Sequence, residues 1–270
     1  MSATRSNPTA VITGASSGIG AVYADRLARR GHDLVLVARN TERLRELAAR
    51  LVRETGRDVE VLVADLTGRD DLLRLEKRLA EDAAIGLLVN NAGFNLGPAF
   101  SESDADRIEE MLQVNVTALT RLARAAAPAF VARGGGTLVN IGSIVALAPH
   151  ILNGAYSASK AYVLTLSQAL QRELGGKGLR VQVVLPGAIR TDFWDTSGIP
   201  VSVLPDSMVM SAEDLVDAAL AGLDMGEQVT IPSLPDESDW ARLDAGREAL
   251  EPFLSRSSPA PRYRRARQVA

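Results

Sequence analysis

The strongest constraint on the fold of this chain is the alternation of short apolar runs with longer helical patterns along its 270 residues. The apolar runs are rich in Val, Leu and Ile, and their hydrophobicity is continuous rather than alternating. Continuous hydrophobicity predicts strands that are covered on both faces, as in a parallel sheet. The predicted strands are residues 10–13, 33–38, 59–63, 86–90, 137–142, 181–185 and 228–231.

Helical patterns fill the segments between these strands, which predicts right-handed strand–helix–strand units and a doubly wound α/β fold. Because no internal repeat and no linker divides the chain, we expect one domain over residues 1–252 with its core at 8–232. Residues 191–211 have no regular period and predict a long functional loop with one helical turn. The predicted helices are residues 18–30, 41–55, 69–82, 104–133, 156–174 and 212–223.

The composition excludes several classes of protein. No cysteine is present, which excludes disulfides, zinc–thiolate sites and thiol nucleophiles, and no metal site is expected. A net charge of −3 argues against a nucleic-acid surface. Residues 1–8 lack the apolar core of a signal peptide, and no apolar run approaches the ~18 residues of a membrane span, so we predict a soluble, cytoplasmic protein.

The end of the chain differs in charge from the rest. Residues 253–270 contain five arginines and no acid, whereas the whole chain carries −3, so the preceding residues carry −8. We expect a solvated, mobile tail. Contact with an anionic partner or with a neighbouring subunit is the alternative.

A glycine-rich turn, TGASSGIG, follows the first predicted strand and opens the first predicted helix. Gly14, Gly18 and Gly20 let the backbone turn tightly and approach a pyrophosphate, and the helix N-terminus offers it free N–H groups. Because the spacing differs from the usual G-x-G-x-x-G, a turn that serves only strand–helix packing is the alternative.

The end of the second predicted strand indicates which dinucleotide would bind. An acid at this place favours NAD, whereas an arginine accommodates the 2′-phosphate of NADP. The chain has Arg39 there and no acid, which favours NADP(H), with a merely solvated arginine as the alternative. Asp65, after the third strand, is a candidate acceptor for the adenine amino group or a plain helix-entry acid. Small residues in NNAG, residues 90–93, would let a ribose or nicotinamide lie against the backbone.

Three side chains carry the expected chemistry. Tyr156 and Lys160 stand four residues apart, which places a phenol and an ammonium on one helix face. A neighbouring cation favours the phenolate, so we expect Lys160 to lower the Tyr156 pKa and make the phenol a usable acid and base. Ser143, at the end of the fifth strand, would hydrogen bond to the substrate oxygen.

Asn115 is a polar residue inside the apolar stripe of the predicted helix 104–133. A buried amide without partners costs on the order of 1–3 kcal/mol, so a specific hydrogen bond is expected. We favour a role in holding a water that passes protons to Lys160. Bonding to a bent backbone is the alternative.

Together, TGASSGIG, NNAG, Asn115, Ser143 followed thirteen residues later by YSASK, and residues 186–191 resemble the short-chain dehydrogenase/reductase family over about residues 8–232. The resemblance implies a Rossmann-type sheet of seven strands in the order 3-2-1-4-5-6-7, with helices on both faces, and hydride transfer between NAD(P)(H) and a carbonyl/alcohol pair. It further implies that Tyr156 is the acid/base, that Lys160 orients the nicotinamide ribose, that Ser143 polarises the carbonyl and that Asn115 completes a proton relay. Ile189 and Thr191 resemble the pair that binds the carboxamide. The other implied cofactor contacts are Gly14, Ser16, Ser17, Gly18, Ile19, Gly20, Asp65, Leu66, Asn91, Ala92, Gly93, Pro186 and Gly187.

The chain departs from the family pattern at Ser17, where NADP-preferring members often carry a basic residue. Arg39 alone supports NADP, so NAD(H) remains an alternative cofactor. Phe94, Val145, Phe193 and Trp194 predict an apolar pocket for a lipophilic ketone, aldehyde or acyl group, with plain packing under the loop as the alternative.

The predicted helix 156–174 is apolar nearly all round, which predicts burial by the sheet on one side and by another subunit on the other. We expect a homodimer or homotetramer built through this helix and 104–133, with no nucleic-acid or membrane partner. The predicted function is NADPH-dependent reduction of a carbonyl to an alcohol. The alternatives are a non-catalytic NADP-binding redox sensor or scaffold and, less favoured, an epimerase or dehydratase of the extended family.

Overall fold

Seven parallel strands form the central sheet, in the order β3-β2-β1-β4-β5-β6-β9. The computed structural model describes residues 7–97, 99–194 and 201–263. The predicted strand order is confirmed, and the last strand is ninth along the chain because two short strands precede it. The strands are β1 (Thr9–Thr13), β2 (Leu34–Ala38), β3 (Val59–Val63), β4 (Ile85–Asn90), β5 (Gly136–Ile141), β6 (Leu179–Val184), β7 (Ala188–Ile189), β8 (Val209–Met210) and β9 (Val229–Thr230).

Helices cover both faces of this sheet, which is why the strands are continuously apolar. In β1, Ala10 and Ile12 pack in one core cluster with helices α1, α2 and α7, whereas Val11 packs in a second cluster with α3 and α5. The helices are α1 (Gly18–Arg29), α2 (Thr41–Thr55), α3 (Arg69–Glu81), α4 (Ala105–Leu112), α5 (Leu119–Ala132), α6 (Gly154–Leu174), α7 (Ala212–Met225), α8 (Glu237–Glu248) and α9 (Glu251–Leu254).

The predicted helical stretch 104–133 is confirmed over residues 105–132, but it is not α-helical throughout. A π-helical segment, Gln113–Ala118, separates α4 from α5. The extra residue per turn brings Asn115 into contact with the loop after β4, and such π segments are frequent at functional sites. Periodicity over 30 residues predicted the helical content and could not reveal this local change of pitch.

The predicted long loop, 191–211, is partly ordered into regular structure. Val201–Val203 and Asp206–Met208 are single 3₁₀ turns, and β8 pairs in parallel with β7. Residues 195–200 lie outside the described part of the chain.

A buried carboxylate ties α1 to α2. Asp25, only 7% exposed, forms ion pairs with Arg26, Arg29 and Arg50, with nitrogen–oxygen distances of 2.9, 3.0 and 2.9 Å. Burial raises the pKa of Asp25, but hydrogen bonds from the three guanidinium groups outweigh it and lower the pKa to about 2.

The chain divides into two compact units, Met1–Pro232 and Ser233–Ala270. The first ends where the predicted core ends, and the second contains α8 and α9, which the sequence analysis did not predict. Of the predicted tail 253–270, residues 264–270 lie outside the described residues, and its mobility stays a prediction. Within the described ranges, no helix combines the length and the hydropathy needed to cross a membrane.

Candidate active site

The glycine-rich turn at the end of β1 brings two stretches of backbone so close together that only glycine fits between them. Gly14 and Gly18 have left-handed φ angles of 65° and 52°. A Cβ on Gly20 would lie 2.3 Å from the Gly14 carbonyl oxygen. Helix α1 begins at Gly18, and the preceding Ser17 makes no side-chain capping bond, so the first N–H groups of α1 remain available to a phosphate. This geometry fits the pyrophosphate of a dinucleotide.

The loop after β4 braces this turn. The Asn91 side chain donates to the Thr13 and Gly14 carbonyl oxygens at 2.9 and 3.1 Å. The Thr13 hydroxyl in turn accepts the N–H groups of Asn91 and Ala92 at 3.0 and 3.1 Å. Asn91 therefore holds the turn in place, which is a positioning role beside the predicted cofactor contact.

The same loop reaches the predicted catalytic lysine. A Cβ on Gly93 would lie 2.9 Å from Asn115 Oδ1 and 3.6 Å from Lys160 Nζ. Residues 91–93 thus touch the glycine turn at one end and Lys160 at the other. The absence of a side chain at Gly93 leaves room for the Asn115 amide oxygen, which an added Cβ would crowd.

Arg39 and Asp65 lie close together at the ends of β2 and β3. Burial acts to raise the pKa of Asp65, but hydrogen bonds from Thr67 and the nearby Arg39 charge hold it below its ordinary value. Asp65 Oδ1 accepts the Thr67 N–H and hydroxyl at 2.9 and 2.8 Å, so it caps the turn that precedes α3. The guanidinium of Arg39 is exposed.

Tyr156 and Lys160 occupy one face of α6, as their spacing predicted. Helix α6 begins after Asn153, whose side chain accepts the Ala155 and Tyr156 N–H groups. Lys160 Nζ lies 5.7 Å from the centre of the Tyr156 ring and donates to the Ile141 carbonyl oxygen at 2.9 Å. Both side chains are 5% exposed.

The expectation that Lys160 lowers the Tyr156 pKa is not met. Burial raises the pKa of Tyr156 above its ordinary value, and the hydrogen bond with Ser143 acts in the opposite direction. Burial also lowers the pKa of Lys160 to about 8. Removal from water is therefore the largest influence on the pKa values of both groups.

Ser143 follows β5 and starts a 3₁₀ turn, Ile144–Ala146. Its hydroxyl accepts the Val145 N–H at 3.3 Å and lies 3.5 Å from the Pro186 carbonyl oxygen. Ser143, Tyr156 and Lys160 are thus brought together from two separate elements at the carboxyl edge of the sheet.

Asn115 uses its amide to hold the loop after β4. Oδ1 accepts the Phe94 N–H at 3.1 Å, and Nδ2 donates to the Phe94 carbonyl at 2.9 Å and to the Ser159 hydroxyl at 3.3 Å. These bonds match the alternative stated for Asn115, bonding to a bent backbone. A proton relay through Asn115 stays a prediction.

The predicted substrate residues are close to Tyr156. Phe94, Val145 and Phe193 pack in one apolar cluster with it, and the Phe193 ring lies 5.9 Å from the Tyr156 ring. Trp194 packs edge-on against Phe193 at 6.0 Å, and its indole N–H donates to the Ile189 carbonyl at 2.8 Å.

The remaining predicted cofactor residues surround the turn. Thr191 stands against Gly18, where an added Cβ would lie 3.0 Å from the Thr191 methyl group. Leu66 places its side chain in the core, and Pro186 is buried behind Ser143. The predicted residues that occupy half-buried positions along the turn and its neighbouring loops are Ser16, Ser17, Ile19, Asn91, Ala92, Gly93 and Gly187.

Two residues that organise the site were not singled out from the sequence. Thr13 joins β1 to the loop after β4, and Ser159 joins Asn115 to α6 by donating to the Tyr156 carbonyl at 2.7 Å. Both lie within motifs identified from the sequence, TGASSGIG and YSASK. Their positions in these motifs had not been assigned a role, and that was the signal that could have identified them.

Comparison with known proteins places this site in a family. The family model for short chain dehydrogenases matches residues 8–199. Human 17-beta-hydroxysteroid dehydrogenase type 3 is 39% identical over 184 residues, which is 67% of this chain. The chain spans 59% of the length of that relative.

Two solved structures match nearly the whole chain. A short-chain dehydrogenase from Sphingobium yanoikuyae in complex with NADPH is 53% identical with a TM-score of 0.93, over 95% of this chain and 100% of its own. The bulky-bulky ketone specific alcohol dehydrogenase from Comamonas testosteroni is 48% identical with a TM-score of 0.88, over 96% and 99%. The resemblance stated on the sequence motifs is therefore confirmed, and the chain belongs to the short chain dehydrogenase family.

Proposed function

We propose that this chain reduces a ketone, aldehyde or 3-oxoacyl group to the alcohol with NADPH, reversibly, with Tyr156 as the proton donor. The observation that carries the proposal is the meeting of Tyr156, Ser143 and Lys160 beside a turn that only glycine can form. The expected enzyme class, an oxidoreductase, agrees with the family. No observation favours the non-catalytic sensor or scaffold.

The chain's own groups divide the chemistry as follows. Bound NADPH supplies the hydride. Ser143 donates a hydrogen bond to the substrate carbonyl oxygen, and Tyr156 gives its phenolic proton to that oxygen as the alcohol forms. Lys160 would hold the nicotinamide ribose, and its positive charge would stabilise the phenolate that forms when Tyr156 gives up its proton. Phe193 and Trp194 exclude water from these groups.

Burial of both side chains explains why the Lys160 charge has a larger effect on proton transfer than on the Tyr156 pKa before the reaction. Before proton transfer, burial keeps the proton on Tyr156 because it raises the pKa of the phenol. Once the proton has gone to the substrate, the phenolate and the Lys160 ammonium attract each other in the same poorly solvated space. The pair therefore favours the charge that develops during reduction.

Replacing the phenol tests the assignment directly. We expect Tyr156→Phe to lower kcat for ketone reduction by ~10²-fold or more, because general acid catalysis is lost, while NADPH still binds. The rate is followed by nicotinamide absorbance, and binding by NADPH fluorescence titration. Tyr263→Phe is the matched control, because Tyr263 is 68% exposed and its hydroxyl contacts Arg262 rather than a predicted site residue. Equal turnover by Tyr156→Phe and the wild type would refute the assignment.

The cofactor preference rests on Arg39, which lies near Asp65 where the adenosine end of the cofactor would bind. NADPH is bound in the Sphingobium yanoikuyae structure. A hydrogen bond to a charged group contributes about 1.5–3 kcal/mol, so Arg39→Ala should reduce the NADPH-to-NADH ratio of kcat/KM by ~10-fold or more. Arg53→Ala removes an exposed arginine at the other end of α2 and should leave the ratio unchanged. A change at Arg39 below threefold, about 0.6 kcal/mol, would mean that Arg39 does not touch the phosphate.

The substrate class follows from the apolar cluster around Tyr156. Its members are aromatic or aliphatic and offer no charge, which suits a bulky lipophilic ketone. Bulky-bulky ketones, the class for which the Comamonas testosteroni enzyme is specific, are therefore the first probes for this chain.

A homodimer or homotetramer is the assembly we propose, through α5 and α6. The outer face of α6 carries Ala158, Tyr162, Thr165 and Ala169, which are exposed and mostly small. Small side chains let a neighbouring helix approach closely. A monomer at micromolar concentration in sedimentation experiments would contradict this assembly. A cytoplasmic location stays a prediction.

A further inference from the structure

The second unit of the chain, from Ser233 onward, carries an exposed row of large apolar side chains. We name this row the C-terminal stripe; its described members are the half-buried Trp240 and the exposed Leu243, Leu250, Phe253 and Leu254. Leu243 and Leu250 are 47% and 55% exposed, and Phe253 and Leu254 are 68% and 74% exposed. Trp240 and Leu243 are three residues apart and share one face of α8, whereas the other three lie just before α9 or within it.

This stripe cannot stabilise its own helices. Helix α8 has 12 residues and α9 has four, and neither contains a buried side chain. Helices shorter than about 12–15 residues are marginal in water unless an apolar face packs against something. Several large exposed apolar side chains close together in the sequence indicate an interaction surface.

The charges beside the stripe indicate what it binds. Residues 233–252 contain six acids and two arginines, whereas residues 253–270 contain five arginines and no acid. Arg256 stands at the basic end, 5.5 Å from the centre of the Phe253 ring. At the acidic end, Glu237 and Asp239 occupy the first turn of α8.

A segment that is acidic at one end and basic at the other is complementary to an antiparallel copy of itself. We propose that the C-terminal stripe pairs antiparallel with the same stripe of a second copy of this chain. Phe253 and Leu254 of each copy then pack near Trp240 of the other, and Arg256 lies near the partner's acidic helix start. Such self-complementary two-fold contacts are the commonest kind in homo-oligomers.

The charge pattern disfavours a lipid surface as the occupant. An interfacial helix carries basic residues on its polar face, whereas α8 carries four acids and only two arginines. The arginines of residues 253–270 alone would suit an anionic lipid, and the vesicle measurement below distinguishes the two occupants. The stripe is also smaller than the 20–30 residues a side that a typical stable interface contains, about 800 Å² per partner. It therefore adds to another contact between the copies rather than forming the whole interface.

The test uses the full-length chain and measures its assembly by sedimentation equilibrium over a range of concentrations. The double variant Phe253→Asp/Leu254→Asp should raise the dissociation constant of the assembly by about tenfold or more, because it places charge at the centre of the pairing. The matched control is Leu73→Asp, at an apolar residue of α3 that is 40% exposed. The control should leave the assembly unchanged.

Charge reversal tests the antiparallel register. Arg256→Glu should weaken the assembly, and adding Asp239→Arg in the same chain should restore it, because the two ends then attract again with opposite signs. Loss without rescue would overturn the antiparallel pairing.

Two results would overturn the proposal altogether. One is that sedimentation gives the same mass for the wild type and for Phe253→Asp/Leu254→Asp, whether that mass is the mass of an assembly or of a monomer. The other is an unchanged mass together with stripe-dependent binding to vesicles of phosphatidylcholine and phosphatidylglycerol, which would assign the stripe to a lipid surface. Ketone reduction by the same samples is measured separately, so a failure of the proposed activity does not affect this result.

Discussion

Asn115 offers the sharpest quantitative test, because its side chain is 1% exposed and makes three hydrogen bonds. Asn115→Ala removes the partners of both the N–H and the carbonyl of Phe94, which are part-buried. Leaving a buried polar group unpaired costs about 1–3 kcal/mol, so two such groups give roughly 2–6 kcal/mol. Because water can reach part of this space, we expect about 3 kcal/mol in the free energy of unfolding.

The assay is urea unfolding followed by tryptophan fluorescence, with the free energy extrapolated to water. Thr117→Ala is the control, because Thr117 is exposed in the same π-helical segment and should change the free energy by less than about 0.5 kcal/mol. Asn115→Asp keeps an acceptor for the Phe94 N–H and loses both donors, so it should also destabilise the chain. A change for Asn115→Ala no larger than that for Thr117→Ala would refute the reasoning.

The same variant separates the two roles considered for Asn115. Gly93, next to Phe94, lies beside Lys160, so a displaced loop would move the groups that surround the ammonium. At a temperature where Asn115→Ala is fully folded, a large loss of kcat with little change in KM indicates a role in the reaction. A destabilised variant with normal kcat indicates that Asn115 only holds the backbone.

Two further predictions concern stability and cofactor binding. Because the pKa of Asp25 is lowered from 3.8 to about 2, its ionisation contributes roughly 2 kcal/mol of stability above pH 4, which is lost as the pH falls toward 2. Asp25→Asn should therefore be less stable at pH 7 and have a flatter acid dependence in urea unfolding, and parallel pH profiles would contradict this. Gly20→Ala should weaken NADPH binding by ~10-fold or more or unfold the turn, because its Cβ would meet the Gly14 carbonyl oxygen at 2.3 Å. Gly246→Ala is the control, because a Cβ at Gly246 would meet no atom within 4 Å. Equal NADPH affinity in the two variants would show that the turn accommodates a Cβ at Gly20, which would contradict the prediction.

Local patterns were sufficient for most of the fold. Continuous apolar runs predicted the buried strands, because both faces of the sheet are covered. Helix α8 was not predicted because its 12 residues contain only two large apolar side chains, too few to define a period. The strands β7 and β8 were not predicted because each has only two residues and lies beside or within a segment without a regular hydrophobic pattern.

How much of the candidate site the sequence predicted also depended on how far apart the interacting residues lie along the chain. The sequence by itself determined the glycine turn and the placement of Tyr156 and Lys160 on one helix face, because both depend on spacing within one or two turns of backbone. Only the tertiary structure decided that Asn115 binds Phe94, 21 residues away, and that burial raises the Tyr156 pKa. Hydrogen-bond partners and desolvation are set by segments that meet only after folding, and no local pattern encodes them.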